Sequence, residues 1–339
     1  MVKRVTIKDV ANEAGVSVTT VSIVLNGKGQ SVPQITQKRI LKAVEKLHYT
    51  PNYSARSLVT GKTNTVGVIV PSITNTFFAE LVKLLQKKFA SRGYDIILSN
   101  NEESAKKDLK YISLFSGRNV DGIVFTPSAE SLMPENAQNV KNAISKLTIP
   151  CLFLDRYISG YPNVSIDNAK SAYLLTDYLV NCGHEKIGVV TGPKMLNSSA
   201  NRLKGLKKRL AESNIVLGEQ NVFEGQYDIE TGERATERFI DTDVTAIFAF
   251  SDMQAYGVYK KLKELGKHVP EDMSVVGFDD NVYSSLLDKP LTTMRQPLDE
   301  IAENTVETML ELINGKKFQA KEKVPATLVK RESVKRLKG

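Results

Sequence analysis

The sequence predicts an α/β protein: an N-terminal all-α helix-turn-helix domain followed by a two-lobed domain built on two doubly wound parallel sheets. Three observations carry this. Residues 1–61 hold nine Lys/Arg against three Asp/Glu, so most of the net charge of +8 sits in the first fifth of the chain. The same stretch is patterned as short helices. From Val66 onward, short apolar runs alternate with amphipathic stretches, as strands do when each crosses to the next through a helix. At 339 residues and 41% hydrophobic content the chain buries a sizeable core, and ordinary domain sizes give it two or three domains.

Thr6 and Asp9 have the spacing of a capping box, and Val10, Ala11 and Ala14 follow as a buried stripe at helical spacing. Gly15 turns the chain and Ser17 caps a second helix. In that helix Val21, Val24 and Leu25 face inward, which leaves Val18, Thr19, Ser22 and Ile23 on an outer, reading face. A third helix is expected over residues 33–47, with Ile35, Ile40, Leu41, Val44 and Leu47 inward and Lys38, Arg39, Lys42 and Lys46 outward. On charge alone this is equally a helical cap with a solvated face. Three short helices with a basic rim also make a helix-turn-helix, whose second helix enters the major groove while backbone contacts set register.

Residues 49–65 are polar and punctuated by Pro51 and Gly61, as a linker is. Inside it N-Y-S-A-R-S-L-V is long enough for two helical turns, too few to be stable alone in water, so a helix there forms only with a partner's support. Gly61-Lys62-Thr63 imitates the end of a phosphate-binding loop, but Arg56 occupies the position of its required glycine, which excludes that motif.

VGVIV, DIILSN, DGIVFT and PCLFLD are expected as parallel strands, with Phe78, Leu81, Val82, Leu85 and Phe89 as the inward stripe of the first crossover helix. KIGVVTG, TAIFAFS and MSVVGFDD form a second set, separated by helices such as residues 253–265. Ligands of open α/β sheets bind at the carboxyl ends of strands. Those ends carry P-S-I-T-N-T-F-F, then Asp155 and Arg156, then Ser251 and Asp252, then Asp279, Asp280 and Asn281. Aromatic faces beside carboxylates, an arginine and amides suit a sugar, whose C–H faces pack on rings while its hydroxyls take bidentate charged partners. Each group also has a plainer role: an aspartate at a strand end caps helices, and Phe77 with Phe78 fits ordinary core.

Cys151 and Cys182 lie in apolar stretches without a second ligand at metal spacing, and the three histidines are scattered, so two buried thiols and no metal or other cofactor are expected. The N-terminus lacks the apolar core of a signal peptide and no apolar run approaches membrane-spanning length, which points to a cytoplasmic protein. No nucleophile motif accompanies the carboxylates, so a binding protein is expected and not an enzyme.

The strings T-I-K-D-V-A, A-G-V-S, T-V-S and L-N, then Y-x-P-N and A-R-S-L, resemble the lactose-repressor/galactose-repressor family of bacterial transcription regulators. VGVIVP, N-x-F-F, VDGIV, G-H-x-K-I and VVGFDD resemble that family's periplasmic-binding-protein-like regulatory domain, so the similarity covers nearly the whole chain. It implies a helix-turn-helix domain over residues 1–51, a hinge helix and linker over 52–63, and an effector-binding and dimerisation domain over 64–339. Within the last, the N-lobe takes about 64–161 and 294–322 and the C-lobe about 162–293 and 323–339. It further implies a homodimer, or in some members a dimer of dimers, on a near-palindromic operator.

Carried over residue by residue, the resemblance brings Val18, Thr19, Ser22 and Ile23 to base edges and Thr6, Ser17 and Asn26 to phosphates. Asn52, Ala55 and Arg56 belong to the DNA-contacting hinge, and Leu58 falls where the family wedges an apolar side chain into the central base step. Ile23 departs from the usual arginine, replacing a bidentate partner for guanine with apolar contact alone.

For the effector, the likeness is to ribose-operon repressors and ribose-binding proteins. It implies contacts from Asn75, Phe77, Phe78, Asp155, Arg156 and Arg202, with Tyr227, Ser251, Asp279 and Gln296 from the second unit and the return crossing. Ser251 replaces an expected asparagine. A ribose-like pentose is favoured, with another sugar, a purine or a phosphocarrier protein as alternative controlling partners.

Overall fold

Thr6 begins the first helix, α1 (Ile7–Ala14), through a complete capping box. Its hydroxyl accepts from the Asp9 amide at 3.4 Å while the Asp9 carboxylate accepts from the Thr6 amide at 2.8 Å. Gly15, at φ 60°, ends the helix in the left-handed region that a side chain would strain. After it come α2 (Val18–Leu25), capped by the Ser17 hydroxyl accepting from the Thr20 amide at 3.1 Å, and α3 (Gln34–Lys46). The computed structural model describes residues 5–25, 29–49 and 61–337. These fall into two compact units that divide after Thr63.

In the first unit Val10, Ala11, Ala14, Val21, Ile40 and Ala43 close a small core. Two residues expected inside α3 lie outside: Ile35 is 74% and Leu41 53% exposed. The packed stripe is Ile40, Ala43, Val44 and Leu47, an i, i+3, i+4, i+7 series. At 3.6 residues per turn, Leu41 stands about 100° and Ile35 about 140° away from Ile40. Arg39, expected at the free rim, turns back to donate to the Ala14 carbonyl at 2.6 Å, tying off the end of α1.

The second unit opens with β1 (Thr65–Val70), α4 (Thr76–Ala90), β2 (Asp95–Asn100), α5 (Ala105–Gly117), β3 (Gly122–Phe125), α6 (Pro134–Ser145), β4 (Cys151–Leu154) and β5 (Asn163–Val164). Their strands form a parallel sheet in the order β2-β1-β3-β4-β5. A second round follows: α7 (Asn168–Asn181), β6 (Ile187–Thr191), α8 (Asn197–Glu212), β7 (Val222–Glu224), α9 (Ile229–Phe239), β8 (Ala246–Ala249), α10 (Asp252–Glu264) and β9 (Ser274–Val276). Its parallel order is β7-β6-β8-β9. Both sheets are fully buried along their central strands, which is why those strands appear as continuous apolar runs.

The chain then forms β10 (Thr293–Arg295), α11 (Leu298–Ile313) and β11 (Thr327–Val329). Helix α11 packs on α4 and the first sheet, and β10 pairs antiparallel with β11. Strands β5, β7, β10 and β11 were not among the expected elements. Each has two or three residues, too few to display a period. In each sheet the order reverses beside the first strand, at β1/β3 and at β6/β8, and doubly wound sheets bind ligands at such points. Among the described residues no helix is long and apolar enough to cross a membrane.

Candidate functional site

All ten residues expected at the effector site line one cavity at the carboxyl ends of the strands, together with Ser198. The first-lobe wall starts at α4, where the Asn75 side chain accepts from the Phe77 amide at 3.0 Å, a helix cap that leaves its own amide group uncommitted. Phe77 and Phe78 meet edge to face at 4.9 Å and are buried, so they are core and cavity wall at once. Asp155, just past β4, adopts φ 61°, a conformation that costs a non-glycine residue energy and clusters at ligand sites. Its carboxylate has no hydrogen bond within the described residues, and burial holds its pKa above the ordinary range against the pull of Arg156 and Arg202. Arg156 stacks 5.8 Å from the Phe78 ring.

The second-lobe wall is built around Arg202 on α8. Its Nε donates to Asn168 Oδ1 at 2.8 Å and its Nη1 to the Phe250 carbonyl. The guanidinium lies 3.6 Å from the Phe278 ring centre and 5.8 Å from that of Tyr227. Tyr227 comes this close because residue 192 is glycine: a β-carbon there would fall 2.3 Å from the tyrosine Cζ. Asp279 accepts from Gln296 Nε2 at 2.7 Å, and burial pushes its carboxyl up to about 8. The Ser251 hydroxyl lines the cavity but serves as the cap of α10, accepting from the Gln254 amide at 3.2 Å.

Four buried polar atoms of this lining, Arg156 Nε, Ser198 Oγ, Tyr227 Oη and Gln296 Oε1, have no hydrogen-bond partner. Leaving such a group unsatisfied costs about 1–3 kcal/mol, so a hydroxylated molecule that completes them is favoured by a similar amount at each. The walls stand close, around a cavity of about 20 Å³.

The strand-end expectation needs correction at three places. Asp280 points away from the cavity into ion pairs with Arg295 and Arg331, each at 2.6 Å. Asp252 accepts from Ser284 Oγ at 2.5 Å and Thr293 Oγ1 at 2.6 Å, and Asn281 caps the turn that follows it. Alternation turns Asp280 away from Asp279, while Asn281 is held out of the cavity by its own role, its Oδ1 accepting from the Tyr283 amide at 3.1 Å. His184 of G-H-x-K-I is a structural buckle, bonded to Thr245 Oγ1 at 2.9 Å and the Lys335 carbonyl at 3.0 Å, and burial lowers its pKa.

Two residues of the site escaped the sequence reading. Glu103 follows the end of β2, where the strand-end rule applied, and Ser198 lies in the first turn of α8, where it did not. Glu103 lies behind Arg156, bonded to it through both carboxylate oxygens at 2.9 Å. Among the described residues no group of His, Cys, Asp and Glu is placed to hold a metal ion.

In the first unit Val18 and Thr19 are exposed and Ser22 and Ile23 half-buried, all on one side of α2 and outside the core cluster. Thr6 and Ser17 are engaged as caps at the helix starts. Asn26, Asn52, Ala55, Arg56 and Leu58 lie outside the described residues.

Residues 6–52 match the model of bacterial regulatory proteins of the lacI family, and residues 176–334 match the periplasmic binding protein-like domain. The transcriptional repressor PurR of Vibrio vulnificus is 34% identical over 338 residues, 98% of this chain and 99% of that protein. The chain belongs to the lacI family. The lac repressor dimer, solved bound to operator and an anti-inducer, is 27% identical with a TM-score of 0.86, covering 98% of this chain and 100% of that one. A CelR–cellobiose complex is 27% identical with a TM-score of 0.72 over 97% of this chain and 100% of that chain. As a lacI-family member the chain is a DNA-binding, effector-controlled transcriptional repressor and not an enzyme.

Proposed function

We propose that the effector is a small sugar, a ribose-like pentose, held between the lobes by Asn75, Phe77, Phe78, Asp155 and Arg156 from one side, Arg202, Tyr227, Ser251 and Asp279 from the other, and Gln296 from the return crossing. The observation that carries this is the set of unpartnered buried atoms, two able to donate and accept, beside free carboxylate and aromatic faces. A pentose offers hydroxyls for the first and C–H faces for the second. The relative solved with cellobiose supports a sugar in this kind of cavity.

The repressor acts as a homodimer on a near-palindromic operator. Val282, Tyr283 and Leu286 form an exposed apolar cluster on the second unit, which a second copy would cover. On DNA, Val18, Thr19, Ser22 and Ile23 approach base edges, Thr6, Ser17 and Asn26 approach phosphates, and the hinge over residues 52–63 carries Leu58 into the central step. The sugar weakens operator binding through its differential affinity for the repressor's two states.

Calorimetry of the full-length protein against ribose, fructose, sucrose and hypoxanthine tests the assignment. Micromolar binding of ribose with weaker or no binding of the others is the expected result. Heat with hypoxanthine alone would replace the sugar with a purine, and heat only with purified phosphocarrier protein would move control to a protein partner.

A further inference from the structure

We propose that Glu103 is a positioning and specificity-determining residue of the cavity: it aims Arg156 Nε at the ligand, and it cancels that arginine's charge so that the cavity takes an uncharged sugar and turns away its phosphorylated form. The inference rests on the sugar reading for its ligand and on a separate set of contacts for its geometry.

Arg156 is 2% exposed, and its guanidinium is committed on one side only. Nη1 meets both Glu103 oxygens at 2.9 Å and the Pro127 carbonyl at 3.2 Å, while Nε, buried in the cavity lining, has no partner. A planar guanidinium fixed at one end has its remaining N–H directions fixed too, which makes Glu103 the group that sets where Nε points. Glu103 is itself held. Its Oε2 also accepts from the Ala129 amide at 2.7 Å, its own amide donates to Asn101 Oδ1 at 3.0 Å, and its backbone sits at φ 57°. Asn101 is buried and donates to Asp108 at 2.6 Å and to the Thr126 carbonyl at 3.1 Å. The loops after β2, β3 and β4 are thereby fastened together behind one arginine.

The charge count follows from the same contacts. Arg156, the guanidinium whose Nε lines the cavity without a partner, is already ion-paired with Glu103, so it has no positive charge left over for a phosphate. An anionic ligand entering this space would meet Arg156 with its charge already neutralised by Glu103, and would lose its own hydration as well. Glu103 is thus the difference between an arginine that recognises a hydroxyl and one that recognises an anion.

The test uses full-length protein, wild type and the variants Glu103→Gln and Glu103→Asp, with D-ribose and D-ribose 5-phosphate in calorimetry. It also follows the ¹H–¹⁵N resonance of Arg156 Nε, assigned by its loss in Arg156→Lys. The expected result is a wild type that binds ribose but not the phosphate, with a single protected Nε–H. Glu103→Gln should bind ribose about tenfold more weakly, bind ribose 5-phosphate at least about tenfold more tightly, and broaden the Nε–H signal; Glu103→Asp should restore most of each. An unchanged ratio of the two affinities with an unchanged Nε–H signal in Glu103→Gln overturns the inference. If wild type binds no ribose while the Nε–H signal collapses and the anion is admitted in Glu103→Gln, the sugar reading fails and the role of Glu103 stands.

Discussion

Arg156 on the first-lobe wall and Arg202 on the second are both nearly fully buried, 2% and 4% exposed, yet they are stabilised in different ways. Arg156 has a carboxylate of its own lobe, Glu103, hydrogen-bonded to it. Arg202 has only neutral acceptors, Asn168 and the Phe250 carbonyl, and the faces of Phe278 and Tyr227; the carboxylates that balance it, Asp155 and Asp279, act through space. One of those, Asp155, belongs to the opposite wall. The first wall is therefore organised before a ligand arrives, and the second is completed when the walls meet. A cavity built this way couples occupancy to closure, which is what an effector domain requires.

The sharpest way to break this contrast is to remove each arginine in turn. Arg202→Met leaves Asn168 and the Asp155 and Asp279 carboxyl groups without the cation they face in a dry site, and loss of a buried charge partner costs about 3–5 kcal/mol. Effector affinity in calorimetry should fall more than about a hundredfold. Arg156→Met should cost roughly tenfold less, because the stranded Glu103, 37% exposed, can take water as its partner. Equal losses would erase the distinction between the walls.

A second difference is visible in pH. Burial raises the Asp279 carboxyl to about 8, so the folded chain holds a proton that the unfolded chain releases near pH 4. The stabilisation is complete below the unfolded value and is lost as pH rises through the folded one, so stability should fall from about pH 4 to about pH 8. Asp108, Asp155 and Asp252, all raised by burial, act in the same direction. Asp279→Asn should flatten part of the slope in urea unfolding measured at several pH values, and an unchanged slope would mean the carboxyl ionises freely.

Changes in the DNA-reading unit should leave both walls untouched. Ile23→Arg should shift half-site preference in a randomised library by about 1–3 kcal/mol at one base pair, the worth of a bidentate contact, with effector affinity unaltered. Thr6→Ala removes the capping box of α1 and should destabilise the first unit by about 1 kcal/mol in thermal unfolding.

The parts legible in the sequence were those with a strong local signature. The capping box at Thr6, the glycine stop at Gly15 and the apolar runs of the central strands each follow from one residue type in one pattern. The strand-end rule collected Asn75, Phe77, Phe78, Asp155, Arg156, Ser251 and Asp279 because topology, not local sequence, brings strand ends together, while Arg202, Tyr227 and Gln296 were legible only through the family resemblance. The same rule over-reached at Asp280, which alternation turns away from Asp279, and at Asn281, whose side chain caps the turn that follows. Ile35 and Leu41 were misplaced because apolar residues around α3 exceed what one stripe can bury. Glu103 stayed hidden because its role exists only through Arg156, fifty-three positions later in the chain.

The central claim is that sugar in the cavity controls the grip on DNA, and the direct measurement is operator affinity with and without ribose. The operator is first selected from a near-palindromic library, and full-length protein is titrated onto it by fluorescence anisotropy. Saturating ribose should weaken binding by about 5–150-fold, the range of typical coupling energies, and Arg202→Met should bind the operator but ignore the sugar. Ribose that binds in calorimetry while operator affinity stays constant would contradict the account.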